Sequence, residues 1–302
     1  MRHQFTVQST LNMNNLADQR HLLHSQHKAI SVVGLPAFDD NLIWLLQPTQ
    51  TDQDAVSTVC VVDPGDAAPV IDYCRRHQLI PATLLLTHHH ADHTGGVADI
   101  QSWMNQFHPA YAVTVYGPEA ESIPAVNHPL VGGELISLWP GINAEVLAVA
   151  GHTRGHLAYF VSEGSGCQPP ALFSGDLIFG LGCGRLFEGT AEQMYDALTR
   201  VSHLDPQTRI YCAHEYTALN LPFALKVDPD NGDLIKRAAQ VRALRQAGES
   251  TLPLLLAEEL ATNPFMRSAA PALAGAVCGE SLATPCDIFA ALRSMRDSFK
   301  SV

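Results

Sequence analysis

Four histidines and an aspartate fall within six consecutive residues, His88-His89-His90-Ala91-Asp92-His93. They stand directly behind Leu84-Leu85-Leu86 and Thr87. The leucine run is short and has no polar face, the signature of a fully buried strand. The ligand-type residues therefore sit where a strand leaves the core, a common place for a site in a layered α/β protein. In extended chain, residues two apart point the same way, so His88 and His90 share a side while His89 turns away. Asp92 and His93, after the chain turns, can face a second point nearby, ahead of Gly95-Gly96. One segment thus offers two imidazoles to one metal, and a carboxylate with an imidazole to another. Such donors suit zinc, iron or manganese better than a soft, thiolate-bound metal.

Three later apolar runs end in the same way. Residues 146–149 lead to Gly151-His152-Thr153-Arg154-Gly155-His156, 171–173 to Ser174-Gly175-Asp176, and 209–212 to Ala213-His214-Glu215-Tyr216. One His or Asp at a strand exit is ordinarily a turn or cap residue. Three of them, added to the histidine cluster, point to a common edge: His152, Asp176 and His214 join the candidate ligands.

The elements that must position these residues can be read in order. Residues 1–29 are rich in Gln, Asn, His and Ser, lack an apolar period, and read as a disordered extension. They carry no apolar stretch of a secretory signal, and His21, His24 and His27 recur at every third place. Strands are expected over 30–33, 42–46 and 56–62, with a loop at 47–55 between the last two. Asp63-Pro64-Gly65-Asp66 has the composition of a turn, followed by a helix to about His77. A helix is expected from Val97, and strands over 111–116, 136–139, 146–149 and 157–161. Thr190-Ala191-Glu192-Gln193 is a capping box opening a helix with Met194, Leu198 and Val201 on its apolar side. Beyond Tyr216 the strand texture ends. Helices are expected over 232–247, 252–260 and 285–299, the last behind the cap pair Thr284-Pro285.

With 302 residues, 46% hydrophobic and 16% charged, the chain can bury one large core or two modest ones. Its formal net charge of -12 argues against non-specific grip on nucleic acid or an anionic membrane. No apolar run approaches the ~20 residues of a membrane span. The seven cysteines form no CxxC pair, which fits a reducing compartment and a cytoplasmic location. A monomer is expected.

Taken together, these segments resemble the metallo-β-lactamase superfamily, marked by HxHxDH and then by separated His, Asp and His. Within it the chain resembles the hydroxyacylglutathione hydrolases, the glyoxalase II family. The matching segments are Phe38-Asp39-Asp40-Asn41, residues 87–96, 151–156 and 175–176, Gly182-Cys183-Gly184-Arg185-Leu186-Phe187-Glu188-Gly189-Thr190, residues 212–217, Asn263-Pro264-Phe265-Met266-Arg267, Leu292-Arg293 and Arg296-Asp297-Ser298-Phe299. They extend over nearly everything from residue 30 onward.

The resemblance implies an α/β fold, the αββα metallo-β-lactamase sandwich. Its catalytic domain would span 30–216, and a helical substrate-binding domain 217–302. It implies two divalent metal ions, zinc first, with iron or manganese as alternatives. His88, His90 and His152 would bind one ion, Asp92, His93 and His214 the other, with Asp176 between them. Asp92 and Asp176 are the carboxylates assigned to the catalytic step, and His89 and His156 fall outside the direct ligand set. The implied reaction is hydrolysis of S-D-lactoylglutathione to D-lactate and glutathione by a hydroxide held between the metals. Glutathione would be met by Arg185, Phe187, Tyr216 and Arg267, arginine suiting a planar carboxylate. Some members carry an aromatic hydroxyl where Phe187 stands, and a lysine soon after the NPF-x-Arg segment, where this chain has Ser268-Ala269-Ala270-Pro271. Cys183, flanked by glycines, reads as structural. Competing readings are a mononuclear iron persulfide dioxygenase of the same fold, a nuclease of the superfamily, and a non-catalytic metal-binding scaffold.

Overall fold

The computed structural model describes residues 22–49, 57–278 and 284–300. The chain divides into two compact units, Met1–Val146 with Phe160–Pro169, and Leu147–Tyr159 with Pro170–Val302.

The first unit is built on a seven-stranded sheet. Strands β1 (Leu23–Gln26), β2 (Ile30–Ala37), β3 (Asn41–Pro48) and β4 (Thr58–Val62) run antiparallel to one another. Helix α1 (Ala67–His77) then carries the chain to β5 (Ile80–Leu85), which pairs with β4 in parallel. The short α2 (Ala91–Thr94) and α3 (Val97–Phe107) lead on to β6 (Thr114–Pro118) and β7 (His128–Leu130), both parallel additions. Strands β8 (Leu135–Trp139) and β9 (Ile142–Ala148) form an antiparallel hairpin. One core joins Leu35, Ile43, Leu45, Val61 and Leu84 of the sheet to Val70 of α1 and Ile100, Trp103 and Met104 of α3. β5 lies between β4 and β6, and Leu84 and Leu85, which point to opposite faces, are both fully buried, so its end has no polar side.

Strand β10 (Leu157–Val161) belongs to the second unit only as far as Tyr159; from Pro170 that unit continues with β11 (Ala171–Gly175), the two-residue strands β12 (Ile178–Phe179) and β13 (Gly182–Cys183), α4 (Ala191–Ser202) and β14 (Arg209–Cys212). β14 pairs in parallel with β11, placing Cys212 opposite Gly175, so the two chain exits lie side by side. Then come α5 (Thr217–Val227), α6 (Gly232–Gln246), β15 (Leu254–Leu255), α7 (Leu256–Thr262), α8 (Pro271–Cys278) and α9 (Pro285–Ser298). Both expected caps are present: Thr190 and Gln193 close a reciprocal box on α4, and Thr284 and Asp287 one on α9, with Pro285 in the first turn.

The structure departs from the sequence reading in several places, the short elements α2, β7, β12 and β13 among them. Leu23–Gln26 form β1, inside the stretch read as an extension, because Leu23 to Gln26 pair with Gly34 to Ser31. Residues 1–21 and the tip of the 47–55 loop lie outside the described residues. The helix expected over 252–260 begins only at Leu256: Pro253 removes an N–H, and Leu254 and Leu255 pair with Ile210 and Arg209. α5 and α8 were not anticipated. α5 holds Pro222 in its interior, yet buries Thr217, Asn220, Leu221, Phe223, Ala224 and Val227, so packing overrides the local penalty.

Candidate metal centre

In the first unit, Thr87 and His88 follow β5 and are fully buried. Thr87 donates from its backbone N–H to Asp63 Oδ1 (2.8 Å) and from its hydroxyl to Asp63 Oδ2 (2.7 Å). A hydroxyl has one proton, so its contact with His88 Nδ1 at 3.0 Å must be donated by the imidazole. That places a proton on His88 Nδ1, so in the neutral ring Nε2 is the acceptor, 3.0 Å from His90 Nδ1. His93 is treated alike: Nδ1 lies 2.9 Å from Asp63 Oδ2, which only accepts, and Nε2 is 3.5 Å from Asp92 Oδ2. Asn41, at the start of β3, donates to the same Asp92 oxygen at 3.1 Å. His89 points elsewhere, as its spacing predicts, and gives its backbone N–H and its ring to Glu121.

By sequence Asp63 is only part of a turn. It terminates β4 at φ 49°, a left-handed conformation that Asp tolerates better than most residues, and it is 4% exposed. Gly65 completes that turn. A Cβ there would stand 1.8 Å from the Asp92 carbonyl oxygen, so only glycine lets the turn approach the histidine segment.

In the second unit, Gly151, at φ 151° and tight against Met194, precedes His152. His152 Nδ1 donates to the Arg185 carbonyl at 2.9 Å, leaving Nε2 facing Asp176 Oδ2 at 3.3 Å. The other Asp176 oxygen faces His214 Nε2 at 3.5 Å. The parallel register of β11 and β14 produces this neighbourhood, and the Asp176 N–H donates to His156 Nε2 at 3.1 Å. Tyr216 stacks on His214 with ring centroids 4.7 Å apart, and Phe179 meets both rings edge-on. The Phe187 ring, 61% exposed, stands edge-to-face against His152 at 5.3 Å. Arg185 is exposed, its Nε 3.8 Å from Asp297 Oδ1; Arg267 Nε donates to buried Asp228 at 3.2 Å.

These donor pairs fit divalent metal ions. Imidazole nitrogens and carboxylate oxygens bound at 2.0–2.2 Å around a tetrahedral ion lie about 3.4 Å apart, close to the 3.3–3.5 Å of the His–Asp pairs. Each of His88, His93 and His152 has its Nδ1 tied to an oxygen, the arrangement that orients a metal-binding imidazole. In the neutral form of His93 and His152 the Nε2 lone pair faces a carboxylate, a pairing that a bound cation would satisfy. Cys183 does not compete as a nucleophile: it is buried, burial pushes its thiol up, and its Sγ lies 3.6 Å from Arg293 Nη1. Of the N-terminal histidines, His24 lies in β1, His27 is buried and bonded to the Pro169 carbonyl, and His21 lies outside the described residues.

Residues 55–214 match the profile of the metallo-beta-lactamase superfamily, and residues 215–299 that of the hydroxyacylglutathione hydrolase C-terminus. A hydroxyacylglutathione hydrolase of Xanthomonas campestris pv. campestris (strain B100) is 46% identical over 273 residues, covering 89% of this chain and 99% of the relative. The chain belongs to the hydroxyacylglutathione hydrolases. Another member, from Aliivibrio fischeri (strain MJ11), is 44% identical over 271 residues, 89% of this chain and 100% of its own length. Among solved structures, a metallo-beta-lactamase from Staphylococcus aureus subsp. aureus COL superposes with a TM-score of 0.56 at 20% identity, covering 89% of this chain and 72% of that one. That likeness shows the fold alone. This hydroxyacylglutathione hydrolase chain therefore has the metallo-β-lactamase fold with a helical C-terminal region, as the sequence resemblance implied. Its His and Asp clusters are of the kind that bind divalent metal ions.

Proposed function

We propose that this chain hydrolyses S-2-hydroxyacylglutathione thioesters, S-D-lactoylglutathione first among them, to the 2-hydroxy acid and glutathione at a binuclear metal centre. The observation that carries the count of two is Asp176. Its two oxygens are addressed by different imidazoles, His152 and His214, as a carboxylate between two ions would be. His88, His90 and His152 would hold one ion, and Asp92, His93 and His214 the other. Zinc suits this donor set, and iron or manganese are accepted by the same chemistry.

When bound, the ions supply a water activated at neutral pH and a Lewis acid for the thioester carbonyl. The chain's own residues orient and exchange protons. Asp63, Thr87 and the Arg185 carbonyl hold imidazole tautomers; His156 fixes the Asp176 backbone. Asp92 has a side chain 41% exposed, against 10% for Asp176, so it is the carboxylate placed to pass a proton to solvent. Phe187 and Tyr216 flank the two imidazoles as apolar walls, the Tyr216 hydroxyl adding a donor, while Arg185 and Arg267 would take the glutathione carboxylates. No Ser or Cys nucleophile is required.

Residues 30–216 serve as the catalytic part and 217–302 as the substrate-binding part in this proposal. The protein acts on a small molecule as a cytoplasmic monomer, with neither nucleic acid nor membrane as partner. Supporting this are the net charge of -12, the reduced thiols of Cys60, Cys74, Cys183 and Cys286, and the finding that no helix among the described residues is long and apolar enough to cross a membrane. Asp176→Ala tests the centre. Elemental analysis and thiol release should fall together; full activity in a metal-poor variant would remove Asp176 from its bridging role.

A further inference from the structure

The β12–β13 hairpin joins Asp176 on one side to Arg185 and Phe187 on the other. Its own ladder has two residue pairs, Ile178 with Cys183 and Phe179 with Gly182, too little to stand alone. Its turn residue Leu181 sits at φ 59°, in the left-handed region. Side chains of the helical region hold its backbone instead. Asn220 of α5 donates to the Gly180 carbonyl at 3.1 Å, and Arg293 of α9 to the Cys183 carbonyl at 2.9 Å. Glu259 of α7 accepts the Leu181 N–H at 3.0 Å. Asn263, just after α7, reaches the Phe179 and Gly182 carbonyls at 3.2 and 2.9 Å.

Glu259 and Asn263 are both fully buried and bonded to each other at 2.9 Å; Arg237 of α6 neutralises the Glu259 carboxylate and donates to Thr262 at 2.6 Å. The Phe265 N–H, at 3.0 Å, occupies the remaining Asn263 oxygen. A buried ion pair is a weak way to gain stability, because desolvation offsets its attraction, but it fixes geometry. What it fixes here is the hairpin. Phe179 abuts His214 and Tyr216. A Cβ on Gly184 would lie 2.1 Å from the Asp176 carbonyl and 3.1 Å from His152 Nδ1, so that arm cannot shift without disturbing both.

We infer that Glu259 and Asn263 are positioning residues, which hold the β12–β13 hairpin so that Asp176 and the Arg185–Phe187 loop keep their places together. The inference rests on the proposed function, in which one arm holds metal and the other takes glutathione. It assigns the Asn of the Asn263-Pro264-Phe265 segment to the site rather than to the helical core. Asn263→Ser removes the two donors without adding charge. Zinc affinity, by chelator competition, and glutathione affinity, by calorimetry, should each weaken on the order of tenfold or more in this variant of the full chain. Leu273→Ala, at a fully buried position of α8, should also lower Tm through the cavity it opens, and should leave both affinities within about twofold.

Wild-type affinities in Asn263→Ser, or loss of only one of the two, would overturn the inference. A wild-type protein that binds neither zinc nor glutathione would instead sink the functional reading beneath it. Should Asn263→Ser not fold, hydrogen exchange on the wild-type protein decides. Zinc must slow exchange in residues 256–263, by reciprocity of the coupling, and unchanged exchange there refutes it.

Discussion

Asp63 settles which nitrogens His93 and, through Thr87, His88 can offer, so its effect reaches two proposed ligands without touching a metal. Asp63→Asn keeps the size and the tolerance of φ 49° but cannot serve as a two-oxygen acceptor. Zinc affinity measured against a chelator should drop on the order of 10- to 100-fold; retained affinity would make Asp63 a turn residue and nothing more. Arg267 has its Nε edge occupied by Asp228, itself held by Asn231 at 2.8 Å, which aims the rest of the guanidinium. Arg267→Ala should raise KM for the glutathione thioester by about tenfold while sparing a thioester of a truncated thiol, because remote binding energy is what it would supply in the proposed site. Equal losses on both substrates would exclude Arg267 from the substrate site. The candidate ligands were legible because strand alternation and strand exits are local patterns. Asp63 was not: Asp-Pro-Gly-Asp has turn composition, and its partner His93 is 30 residues away. Nor could Arg267 and Arg185 be paired with Asp228 and Asp297 before the helices were placed.

At the scale of elements, what was written within four residues could be read and what depended on a distant partner could not. Both capping boxes carry their own geometry, and the buried strand before the histidines announced itself by its lack of a polar face. β15 exists only because β14 lies beside it, and α5 because its buried face outweighs Pro222. The box on α9 also has a pH signature. The Thr284 side chain, then its backbone N–H, holds the Asp287 carboxyl below its usual 3.8. A depressed carboxyl stabilises the folded state above the unfolded value and loses that contribution as pH falls through the folded one. Asp287→Asn should therefore lower Tm near neutrality, with the gap to wild type closing as pH drops below 3.8. A gap that persists in acid would show that the carboxylate charge is not what secures the start of α9.

For the whole molecule, an acidic chain of net charge -12 that takes an anionic thioester must do so through few, local cations. In the proposed function that places the weight on Arg185 and Arg267 rather than on the overall field, and makes glutathione selectivity the property that separates it from a general two-metal hydrolase. The decisive measurement is thiol release by the metal-loaded protein from S-D-lactoylglutathione, set beside a thioester carrying the same acyl group on a truncated thiol. Rapid release is expected from the first, and a kcat/KM lower by at least about tenfold for the second. Equal rates would leave a two-metal hydrolase without glutathione recognition, and no release from either would contradict the proposed function outright.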